Sequence, residues 1–124
     1  MEAARTLDMW ESEVVHRMLA ADFGGAPVLE DQLADAKVRR ITEYRDNYGS
    51  IAFIFDDGER TKAALVDREV PVEAEAVDED GMPIYFLLHV VDGYLDELEI
   101  YRADARPIRR VPDPRSLVVI VRST

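Results

Sequence analysis

Residues 89–101 read HVVDGYLDELEIY. Asp92-Gly93 sits between two alternating runs, and that dipeptide is a strong hairpin signal because a type I′ turn needs positive φ at both central positions. A two-residue loop there pairs Val91 with Tyr94, His89 with Asp96, Leu88 with Glu97, Leu87 with Leu98 and Phe86 with Glu99. Directly opposed residues share a face. Upstream, a turn at Asp80-Gly81 pairs Ala76 with Tyr85, Glu75 with Phe86 and Glu73 with Leu88.

Together the two registers sort three strands into two faces. One face collects Val72, Ala74, Ala76, Tyr85, Leu87 and Val91, joined by Tyr94, Leu98 and Ile100 and ending at His89 and Asp96; it is the expected core side. The other carries an apolar strip of Ile84, Phe86, Leu88 and Val90, bordered by Glu73 and Glu75 on one strand and by Glu97 and Glu99 on the next. Four carboxylates are costly to bury unpaired, so this second face is expected to meet water, arginines or a partner. An apolar strip inside an acidic border reads as a docking surface. The competing reading is self-coverage, with Arg102, Arg106, Arg109 or Arg110 folding their stems over the strip.

Outward from this hairpin, the period changes. Trp10, Val14 and Met18 recur at helical spacing, flanked by Val15 and Leu19, which predicts a helix over Asp8 to Ala21 capped by Thr6, with His16 opposite the apolar stripe. Gly24-Gly25 ends it, and Pro27 opens a second helix through Asp35 with Leu29 and Leu33 inward. Strands are then expected over Lys37 to Arg45, Ser50 to Phe55, Thr61 to Val66, Val70 to Val77, Ile84 to Val91, Tyr94 to Tyr101 and Leu117 to Val121. The predicted fold is α+β: one domain over 1–124, with a helical segment at about 6–36 laid on one face of an antiparallel β-meander of about five to seven strands at about 37–121.

Composition narrows function more by exclusion than by assignment. At 124 residues a single core is expected, large enough to need neither disulfide nor metal. The absence of cysteine removes thiol chemistry and thiolate metal sites. No apolar run is long enough for a bilayer span, and Glu2, Asp8, Glu11 and Glu13 interrupt any secretory leader; a cytoplasmic location without membrane association is the expectation. Net charge is −11, unevenly spread: residues 1–101 hold 9 basic against 24 acidic side chains, whereas residues 102–124 hold 6 arginines against Asp104 and Asp113. A nucleic-acid binder is not expected from this balance.

His89 with Asp96 invites a catalytic reading, since a carboxylate can orient an imidazole. No nucleophile motif accompanies the pair: Ser12, Ser50, Ser116 and Ser123 lie outside any G-x-S-x-G setting, and no phosphate-cradling glycine loop occurs. The pair is therefore read as structural, or as part of a ligand site, and no catalytic residue is assigned. Two histidines on separate elements form no recognised metal-ligand spacing, so no metal or other cofactor is expected. Asp78-Glu79-Asp80 reads as a solvated turn.

Two segments carry a resemblance. Asp22, Phe23, Gly25, Leu29, Gln32 and Leu33 match a D-F-x-G-x-x-x-L-x-x-Q-L pattern, and His89 through Arg102 match H-V-x-D-G-x-L-x-x-L-E-x-Y-R. Over roughly residues 14–117 the chain resembles a group of small uncharacterised proteins common in high-GC bacteria. Many members of that group carry a C-x-C-G-C cluster where this chain has Tyr44-Arg45-Asp46-Asn47-Tyr48-Gly49, so any role of that cluster does not transfer. The resemblance implies a shared fold and no particular activity. The leading functional expectation is a non-enzymatic protein-binding module whose residues Glu73, Glu75, Ile84, Phe86, Leu88, Glu97 and Glu99 engage a basic, toxin-like partner, as an immunity protein does. The alternatives are a homo-oligomer packing the strip on its own copy, and a small-ligand binder or enzyme using His89 and Asp96 with Tyr85 and Tyr94.

Overall fold

The computed structural model of the chain describes residues 3–42, 49–56 and 62–122. Two N-terminal helices, α1 (Met9–Leu19) and α2 (Ala26–Asp35), precede six strands: β1 (Lys37–Arg40), β2 (Ile51–Ile54), β3 (Val72–Val77), β4 (Pro83–Val91), β5 (Tyr94–Arg102) and β6 (Val118–Val121). The result is the expected α+β fold, an antiparallel sheet in the order β1-β2-β5-β4-β3-β6. Only β3 to β5 run as a sequential meander; the β1–β2 hairpin joins beyond β5, and β6 returns to the free side of β3. Among the described residues no helix is long and apolar enough to cross a membrane.

The cap of helix α1 is Asp8 and not Thr6. The Asp8 carboxylate accepts from the Glu11 amide at 2.7 Å while Glu11 accepts from the Asp8 amide at 2.9 Å, a reciprocal capping box that satisfies two amide donors. Arg5 then grips Glu11 with two guanidinium bonds of 2.7 and 2.8 Å. Val14, Val15, Met18 and Leu19 are buried, and Trp10 lays its ring 6.1 Å from that of Phe86 on the sheet. His16 lies on the exposed side, paired with Glu30 of α2.

Thr61 to Val66 was expected as a strand; position 61 lies outside the described residues, and residues 62–66 form none. This segment instead crosses the end of the β4–β5 hairpin on its way from β2 to β3. The Ala64 amide bonds the Gly93 carbonyl at 2.8 Å, and the Val90 amide bonds the Glu69 carbonyl at 2.6 Å. Asp92 and Gly93 have φ of 53° and 82°, as the hairpin reading requires. Gly93 has a second constraint: a Cβ there would come within 2.4 Å of the Ala64 carbonyl oxygen. The expected continuation of β1 through residues 43–45 and the turns at 46–48 and 57–58 lie outside the described residues.

Both expected hairpin registers need correction, and the corrections compound. The chain reverses between β3 and β4 over the five residues 78–82, not at Asp80-Gly81 alone, so that Ala76 pairs with Ile84, Glu75 with Tyr85 and Glu73 with Leu87. Between β4 and β5, Val91 pairs with Tyr94 as expected, but the register shifts at His89/Val90 and Asp96 becomes an unpaired bulge residue. Beyond the bulge His89 pairs with Glu97, Leu88 with Leu98, Leu87 with Glu99 and Phe86 with Ile100. Beside the bulge, the Val90 amide bonds the Glu69 carbonyl of the crossing segment.

Strand β4 is therefore turned over relative to expectation. Ile84, Phe86 and Leu88 are fully buried, facing Ala74, Ala76, Leu98 and Ile100 beneath the helices. Tyr85, Leu87 and His89 occupy the opposite face instead.

Residues 102–117 do not fold back over that opposite face, although Arg122 beyond them reaches Glu73 on it. Arg102, 3 % exposed at the end of β5, is clasped by three aspartates: Asp78 at 3.0 Å, Asp80 at 2.7 Å and Asp104 at 2.8 Å. Asp78 is no solvated turn residue but is buried, and it also accepts the amides of Arg109 and Arg110 at 2.8 and 3.0 Å. These bonds carry residues 103–117 round the end of the sheet to the helix side, where the Trp10 indole donates to the Pro112 carbonyl at 2.8 Å and Ile108 packs on the core.

Candidate functional site

The face away from the helices is built by strand periodicity. Alternation on β3 and β5 sends Val72, Ala74, Ala76, Leu98 and Ile100 inward and sends Glu73, Glu75, Glu97, Glu99 and Tyr101 outward. The four expected glutamates thus share a side, and β4 places Tyr85, Leu87 and His89 between them. Ile84, Phe86 and Leu88 must be removed from the expected partner surface, because a fully buried side chain beneath a helix touches no partner. What borders the carboxylates is one leucine, one histidine and two tyrosines, whose rings at positions 85 and 101 meet at 5.4 Å.

Each flank of this face carries an arginine. On the β5 side, β2 contributes Ala52 opposite Glu97, and β1 contributes Arg39 opposite Ala52. On the β3 side, Glu73 pairs with Ile120 and Glu75 with Val118 of β6, and Arg122 reaches Glu73 at 3.1 Å. Val118 is 62 % exposed, so the apolar character continues to the sheet edge. Burial raises the Tyr101 phenol above its ordinary range, and the negative charges of Glu99 and Glu73 add to that effect.

His89 does not pair with Asp96. Its Nε2 lies 2.9 Å from Oε1 of Glu99, and its strand partner is Glu97; one donor atom from each of His89, Glu97 and Glu99 falls within 4.8 Å of the other two. Asp96, displaced by the bulge, lines a shallow groove with Phe53, Phe55 and Tyr94. The enzyme or small-ligand alternative, which combined His89 and Asp96 with Tyr85 and Tyr94, therefore loses its expected His89–Asp96 strand pairing. The His89–Glu97–Glu99 grouping is the residue set that sequence reading missed, and its signal was present in the strand spacing, since Glu97 and Glu99 are two apart on one strand.

A pocket of about 300 Å³ opens on the other side of the molecule between α1 and residues 108–112, lined by Arg5, Trp10, Glu11, Arg40 and Ile108. Its Arg5 and Glu11 are committed to each other and to the α1 cap. Glu11 is held below the ordinary carboxylate range although burial pushes it up, because the Arg5 guanidinium and the Asp8 amide outweigh that. This pocket has the chemistry of a braced helix start.

Fold and site together define a small α+β domain with a mixed acidic and aromatic sheet face. The chain belongs to the family described as a domain of unknown function, DUF6984, whose model matches residues 4–112. No curated protein and no solved structure matches it significantly.

Proposed function

We propose that this chain is a non-enzymatic binding module that engages a basic protein through the outer sheet face, as an immunity protein engages a basic toxin. The observation that carries the reading is the placement of Glu73 and Glu75 of β3 and of Glu97 and Glu99 of β5 on one side of the sheet, around Tyr85 and Leu87 of the intervening β4 and Tyr101. Tyrosine-rich patches supply large contact area at low entropic cost, and an ordered array of like charges favours a partner of opposite sign. The same array argues against a second copy as occupant, because two such faces brought together would oppose carboxylate to carboxylate.

The test is capture from an extract of the encoding organism at low and at high salt, followed by reconstitution with the purified partner. The expected partner is basic, is released by salt, and loses at least about tenfold in affinity to the Glu97→Lys/Glu99→Lys double variant at low ionic strength. No salt-sensitive partner, or equal retention by the double variant, overturns the reading. Light scattering over a dilution series that shows a dimer abolished by the same double variant would instead assign the face to self-association.

A further inference from the structure

We propose that His89, Glu97 and Glu99 form a binding site for one divalent transition-metal ion of the zinc class. The site stands on its own geometry and does not require the protein partner proposed above.

Three features carry it. The first is convergence: His89 and Glu97 are directly opposed across β4 and β5, Glu99 lies one same-face step along β5, and their donor atoms gather within 4.8 Å. Ligand bonds of about 2.0–2.2 Å place tetrahedral donors roughly 3.4 Å apart. The His89–Glu99 separation is already 2.9 Å, so modest carboxylate rotations on a fixed backbone complete the set. The second feature is the bulge. Without the shift at His89/Val90, the histidine would face Asp96 and the two glutamates would lie out of register with it. Bulges characteristically re-aim side chains in this way.

The third feature is donor chemistry. One imidazole nitrogen with two carboxylates suits zinc, cobalt or nickel, whereas magnesium and calcium prefer all-oxygen sets. His89 and Glu99 are 30 % and 32 % exposed, enough for an ion to enter from solvent and for an outward coordination position to stay open. Glu73 on β3, facing the same side, adds negative potential, partly offset by Arg122; Arg39 lies two strands from β5, opposite Ala52 on β2. The other histidine, His16, has a single carboxylate partner among the described residues, Glu30.

The experiment uses the untagged, chelator-stripped full chain, titrated with Zn²⁺ by calorimetry and with Co²⁺ by visible absorption. One ion per chain is expected, with affinity reduced at least about tenfold by His89→Ala and by Glu99→Gln and unchanged by His16→Ala. In the unmutated chain, Co²⁺ should perturb amide resonances around residues 89, 97 and 99, a readout independent of whether any variant folds. Absence of binding, binding unaffected by both variants, or perturbation centred on residues 16 and 30 overturns the proposal.

Discussion

Gln32 of α2 holds the turn of the β4–β5 hairpin by its Gly93 carbonyl. Its Nε2 donates to that oxygen at 2.9 Å and to the Lys62 carbonyl at 3.1 Å, while its Oε1 accepts from the Leu95 amide at 3.0 Å; the side chain is fully buried. One amide thereby joins helix, crossing segment and hairpin. Buried backbone groups left without partners cost about 1–3 kcal/mol each, so Gln32→Ala is expected to lower stability by roughly 2–4 kcal/mol in urea unfolding. The neighbouring exposed Asp31→Ala should stay within about 0.5 kcal/mol. Equal effects would show that the amide bonds are not what anchors the turn.

The Asp78–Arg102 cluster makes stability depend on acid in a defined window. Burial alone would raise the Asp78 carboxyl, but the amides of Arg109, Glu79 and Arg110 and the Arg102 guanidinium hold it at about 2, against an ordinary 3.8. Arg102 likewise holds Asp80 and Asp104 below the usual carboxylate range. Because these groups are more acidic folded than unfolded, their contribution is complete above about pH 4 and is lost as pH falls toward 2. Thermal unfolding should therefore show a midpoint that declines across that interval. Asp78→Asn, which leaves Arg102 short of a charged partner and turns an amide nitrogen toward backbone donors, is expected to cost about 3 kcal/mol at neutral pH and to flatten the acid dependence. An unchanged acid profile would place the responsible carboxylates elsewhere.

The two helices were legible because apolar spacing and the Gly24-Gly25 stop are local signals, and the facing of β3 and β5 was legible because glutamates alternate with apolar residues along both. Strand β4 was not. Ile84, Tyr85, Phe86, Leu87 and Leu88 offer no polar residue to mark a face, so its facing had to be borrowed from the turns on either side. One turn proved longer than its Asp-Gly dipeptide, closed by the Asp78 amide on the Met82 carbonyl at 2.8 Å, and the other hairpin carries a bulge at His89/Val90, beside a Val90–Glu69 bond that spans 21 residues. A long-range contact of that kind leaves no mark on local periodicity. The same limit explains why Asp78 was read as solvated: its arginine partner is 24 positions away. The Asp8-Glu11 capping box, by contrast, was readable from spacing alone, and Thr6 was simply the wrong choice among neighbouring oxygen-bearing side chains.

Both functional proposals depend on which side of β4 faces out. The chain contains no cysteine, so single-cysteine variants report directly on exposure. Reaction of a thiol reagent with His89→Cys and with Leu88→Cys in native buffer is the most direct measurement: prompt labelling is expected at position 89, and protection at position 88 until denaturant is added. The reverse pattern, with 88 labelled and 89 protected, would return Leu88 to the glutamate face and contradict the site as described.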